Sequence, residues 1–168
     1  AENSALIANV ITKSNVETIT QVVDKVQTSN AGTANSTFSL QILSSVADRQ
    51  SEESISLENE KQTQVNRLIE EAIASAAANN SAENSALIAN VITKSNVETI
   101  TEVVDVIKKN NLKNPNAGLS LQVLNEVQTV TNNESLAFES NKQTQVNRLL
   151  EEAQAAAAAE AAAVAEAA

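Results

Sequence analysis

The stretch AENSALIANVITKSNVETIT at 1–20 recurs letter for letter at 82–101, an offset of 82 − 1 = 81 residues. KQTQVNRL at 61–68 returns at 142–149 with the same offset, so the register holds without a net insertion. A period kept this strictly predicts that each copy is one folding unit and that the chain is an excerpt of a longer array. The units fall at 1–81 and 82–162, leaving 163–168 as an Ala-rich linker or helix extension. A repeated unit of this kind points towards a structural or assembly role.

Within the first copy, Leu6, Ile7, Val10 and Ile11 share one helical face, with Asn3 or Ser4 as N-cap. A second stripe of Val16, Ile19, Val23 and Val26 follows Ser14-Asn15-Val16-Glu17, in which Ser14 and Glu17 fit a reciprocal capping box. The polar, unperiodic stretch 27–37 reads as a loop. Phe38, Leu40, Ile42, Leu43 and Val46 predict a third helix to about Gln50. A fourth begins after Ser51 or Ser54 and carries Leu57, Val65, Leu68, Ile69, Ala72, Ile73 and Ala76, with the polar run ENEKQTQ at 58–64 interrupting its stripe. The expected fold is all-α: two tandem four-helix bundle-like units with an Ala-rich helical C-terminal extension.

Aligning 1–81 with 82–162 gives 48 identities in 81 positions, and the differences show what one fold tolerates. Val26 becomes Ile107, Ile42 becomes Val123 and Ile69 becomes Leu150, exchanges expected of core positions. Phe38 becomes Leu119 while Leu57 becomes Phe138, so each unit keeps one Phe but moves it. Total volume is conserved, which predicts that Phe38 touches Leu57 and that Leu119 touches Phe138. The stretch from 25 to 38 varies most, as a tolerant connection does.

Composition excludes several classes. The net charge of −10, with 11 basic residues spread over the chain, argues against nucleic acid and anionic lipid. No apolar run approaches the roughly 20 residues of a membrane span. Cys and His are absent, so no disulfide, thiolate metal site or imidazole base exists. Glu70-Glu71 and Glu151-Glu152 are adjacent carboxylates, but helix neighbours point about 100° apart and form no acid–base pair. The expectation is no enzyme, no cofactor, no metal and no small-molecule substrate.

KQTQVNR is the polar string of most interest, because it is identical in both copies. Gln62, Gln64 and Arg67, with Gln143, Gln145 and Arg148, are candidate self-association residues offering hydrogen bonds to a neighbouring unit. The plainer account is a duplication that has not diverged. The terminal tract AQAAAAAEAAAVAEAA (153–168) reads as a helical linker, a packing face for another chain, or a poly-alanine β-stack. Glu160 and Glu166 within it disfavour stacked sheets.

Homogenised helical repeats rich in Ala, Ser, Asn and Gln, joined by segments such as AIASAAANNSAENSA (72–86) and the terminal tract, resemble the repetitive helical domains of silk proteins, especially non-dragline spider silks. The resemblance implies a secreted, extracellular structural protein whose helical bundles are beads and whose Ala-rich connectors help fibre assembly. Charged residues at 19% and a short unit depart from that pattern and leave open an insect coiled-coil silk, an extracellular matrix protein or an egg-capsule component. Rival expectations are a helical-repeat surface binding module of a microbe or parasite, and an amphipathic lipid carrier.

Overall fold

The computed structural model describes residues 2–31, 36–53, 59–78, 81–113, 118–134 and 140–167. These residues form α1 (Glu2–Lys13), α2 (Val16–Ala31), α3 (Ser36–Glu53), α4 (Asn59–Ala78), α5 (Ala82–Lys94), α6 (Val97–Lys113), α7 (Gly118–Glu134) and α8 (Ser140–Ala167). The class is all-α, with bundle-like packing of helices.

Local chemistry sets the breaks. The Ser14 N–H still bonds the Val10 carbonyl at 2.9 Å, so Ser14 closes α1 and the cap of α2 falls to the next residue. Asn15 Oδ1 accepts the Thr18 N–H at 3.0 Å, and Asn96 Oδ1 accepts from Thr99 at 3.2 Å. The cap is therefore Asn15, one residue beyond the Ser14 of the expected box. Helix α5 is capped by Ser81, whose Oγ accepts the Asn84 N–H at 3.1 Å. Ser4, expected as a cap, is instead buried inside α1 and donates to Gln41 Oε1 on α3 at 3.3 Å.

Helices run further into polar sequence than hydrophobic spacing alone predicts. Helix α2 reaches Ala31, five residues into the expected loop, and α3 continues past Gln50 to Glu53. The polar run at 58–64 supplies the start of α4, where Gln62 donates to Asn66 Oδ1 at 2.8 Å and Thr63 Oγ1 donates to the Asn59 carbonyl at 3.0 Å. These bonds between residues four apart support a helical turn that buries little. The alanine tract continues α8 without a break to Ala167.

Odd-numbered helices stack side by side in the order α1, α3, α5, α7, and even-numbered ones in the order α2, α4, α6, α8. The molecule is thus a two-layer row of four helical hairpins. Across the boundary between copies, α5 packs on α3 and α6 on α4, as extensively as neighbours do within a copy. One hydrophobic cluster runs through both copies, with Ile19, Leu68, Ile69, Ile88, Ile100 and Leu149 almost wholly buried. Full burial of such a side chain stabilises by roughly 1.5–3 kcal/mol. At the boundary, Leu43, Ile69 and Ile73 of the first copy close on Ile88, Val91 and Val103 of the second, leaving a void of only ≈ 10 Å³.

Phe38 packs against this core and Leu119 is 3% exposed. Leu57 and Phe138, their expected partners, lie outside the described residues.

Candidate association surface

The KQTQVNR string lies in the first turns of α4, where helical spacing splits its side chains between two neighbours. Gln64 and Arg67 look towards α2. Arg67 forms an ion pair with Asp24 at 2.6 Å, donates to Gln27 Oε1 at 3.0 Å and is braced by Gln64 Oε1 at 2.6 Å. Gln27 returns a bond to the Arg67 carbonyl at 3.3 Å. Gln62 looks the other way, towards α6, where its Oε1 accepts from Thr99 Oγ1 at 3.2 Å. The string is a clamp between three helices of the same chain.

In the second copy Arg148 repeats the pairing with Asp105 and with Gln145, tying α8 to α6. Gln27 has become Lys108, so that side-chain amide is lost from the clamp. Gln143 bonds Asn147 at 2.9 Å as Gln62 bonds Asn66, yet Gln143 is exposed where Gln62 is half-buried. Of the six candidate residues, the arginines, Gln64 and Gln145 bond within their own copy, and Gln62 reaches Thr99 of the other copy. Gln143 remains on the surface.

Other polar side chains, not singled out from sequence, join the copies. Asn90 Nδ2 on α5 donates to Ser44 Oγ at 2.7 Å and to Asp48 Oδ1 at 3.0 Å, both on α3. Thr37 Oγ1 donates to Asn84 Oδ1 at 2.9 Å, and Gln41 Nε2 to Glu83 Oε1 at 3.4 Å. Asn84 and Thr99 are buried, whereas Asn3 and Thr18, the same residues one period earlier, are exposed. The signal for this joint lay inside the twenty identical residues, but identical letters do not reveal which copy covers them.

The joint also carries an electrostatic cost. Glu102 on α6 is held above the ordinary carboxylate value, first by burial, then by the carboxylates of Glu70 across the joint and Asp105 on its own helix, with Lys109 partly offsetting them. An open polar groove of ≈ 330 Å³ lies between α5 and α7, lined by Ser85, Gln122, Asn125 and Glu126. Among the described residues, no three acidic side chains gather closely enough to hold a metal ion. None of the described helices is long and apolar enough to cross a membrane.

The joint therefore offers packing and hydrogen bonding, and its repeated parts serve helix-to-helix contact. No family model, curated protein or solved structure matches this chain.

Proposed function

We propose that this chain is a non-catalytic structural repeat, a segment of an array in which each copy packs on the next, in a secreted fibre-forming protein of silk-like composition. The observation that supports the array reading is the joint between copies: α3 with α5 and α4 with α6 bury apolar surface and add the Asn90 and Thr99 bonds. In a linear array of this kind, stability is a sum of unit terms and nearest-neighbour terms. The joint supplies the neighbour term. The composition and the Ala-rich connectors support the silk-like assignment, and the helical α8 supports a connector that starts as helix.

The array reading is tested by urea unfolding of chains carrying one, two and three copies. Midpoints that rise with copy number are expected, and a midpoint independent of copy number overturns the array. The fibre reading is tested by shearing or drying the protein and following circular dichroism. Conversion of helix to sheet, or deposition of oriented helical fibres, is expected; a solution that stays dispersed and unchanged removes that role.

A further inference from the structure

We infer that the α1/α2 face of one chain docks on the α7/α8 face of a second copy, head to tail, repeating between molecules the joint that α5/α6 make with α3/α4 inside the chain. The inference deepens the array reading and rests on it. It starts from residues one period apart that differ in what covers them.

On the N-terminal face, Ile7, Val10 and Val22 are half-buried, whereas Ile88, Val91 and Val103 are 1%, 2% and 1% exposed against α3 and α4. On the C-terminal face, Leu124 and Val146 are half-buried, whereas Leu43 and Val65 are 3% and 1% exposed beneath α5 and α6. The exposed large hydrophobic residues among those described are Leu6 at 61% and Leu150 at 43%. One sits on each end. Leu6 is the counterpart of Leu87, which packs on the core, and Leu150 is the counterpart of the fully buried Ile69. Both ends therefore carry the apolar residues that the internal joint covers.

The polar groups match as well. Thr99 donates to Gln62 inside the chain; Thr18 and Gln143 are the same two residue types at the two ends, and both are exposed. Asn9 occupies the place of Asn90 and meets Asn125 and Thr129 in place of Ser44 and Asp48. All of these side chains can donate or accept. One like-charge contact is relieved in the end joint, because the pair Glu70 and Glu102 is replaced by Glu151 and Gln21.

The C-terminal face is wetter than its template, since Gln128 stands for Ala47 and Gln154 for Ile73. Association between separate chains is accordingly weaker than the covalently tethered joint and rises with concentration. The two faces differ, so the contact is heterologous and leaves one unused face at each end of every assembly.

Two variants test this, each altering an already exposed residue: Leu6→Asp on one face and Leu150→Asp on the other. Sedimentation velocity at rising concentration is expected to show unmodified chains growing beyond dimers, and each variant alone remaining monomeric. An equimolar mixture of the two is expected to form dimers and nothing larger, because each retains the face the other lacks. Circular dichroism of each variant, expected to match the unmodified chain, confirms that folding is intact. Unmodified chains that stay monomeric, or a mixture that fails to dimerise, overturn the docking. Three-copy chains that gain stability while separate chains stay monomeric would remove the docking and leave the array reading standing.

Discussion

Arg67 on α4 grips Asp24 on α2 at 2.6 Å across 43 residues of chain, and Arg148 grips Asp105 across the same 43 residues one period later. The two clamps differ in one partner, because Gln27 of the first has become Lys108 in the second. An exposed ion pair by itself contributes about 0–1 kcal/mol, whereas Arg67 also holds the Gln27 amide.

Arg67→Ala is therefore expected to destabilise the chain by about 1–2 kcal/mol and Arg148→Ala by about half as much. Urea midpoints at low and at high salt check both. Salt should shrink the Arg148 effect more, since beside Gln145 it rests on the Asp105 charge and lacks the Gln27 amide that Arg67 keeps.

Glu102 makes stability depend on pH. Its folded pKa is raised above the ordinary 4.5 by burial, Glu70 and Asp105 against the opposing Lys109, so the native state binds its proton more tightly than the unfolded chain does. The resulting contribution is fully present below the unfolded value and is lost as pH rises through the folded one. Glu102→Gln is expected to raise stability at neutral pH and to flatten the fall in stability between acid and neutral solution. Thermal melts of both proteins across that range measure the difference.

Gln50 is 5% exposed, and neither its Nε2 nor its Oε1 has a hydrogen-bond partner among the described residues. A buried amide left in this state costs about 1–3 kcal/mol. Replacement by Leu removes the cost at similar volume and should raise the unfolding free energy by about 1–2 kcal/mol. A urea titration that finds Gln50→Leu less stable than the parent would contradict it.

Ile7 and Ile88 are one residue in two settings, the first at the open end and the second 1% exposed in the joint. Truncation to Ala is expected to cost about 3 kcal/mol at Ile88, where a cavity remains, and about 1 kcal/mol at Ile7. Equal losses at the two sites, measured in dilute solution, would deny the joint its special packing.

Helix content and the break at Lys13–Asn15 were legible because apolar spacing and polar punctuation coincide there. Helix ends were less so. Gln62, Thr63 and Asn66 support one another by side-chain bonds, and the polar run they occupy is helical although it interrupts the stripe. Ser14 and Asn15 are both good caps, and the Ser14 N–H bond to Val10 together with the Thr18 N–H bond to Asn15 Oδ1 decides between them. The string from Lys61 to Arg67 stood out in sequence, yet its inward purpose was hidden because Asp24 and Thr99 lie far away along the chain. The joint was least visible of all: Asn9 and Asn90 are the same letter in the same local context, and neighbouring helices alone distinguish them.

Because α5 meets α3 much as α3 meets α1, appending a copy covers one end of the row and presents an equivalent end further along. The uncovered end surface then stays constant while the covered surface grows in proportion to length. End losses are shared among ever more residues, and stability per residue climbs towards a limit set by the joint. A long row is held chiefly by its middle, and fraying is confined to its last hairpins.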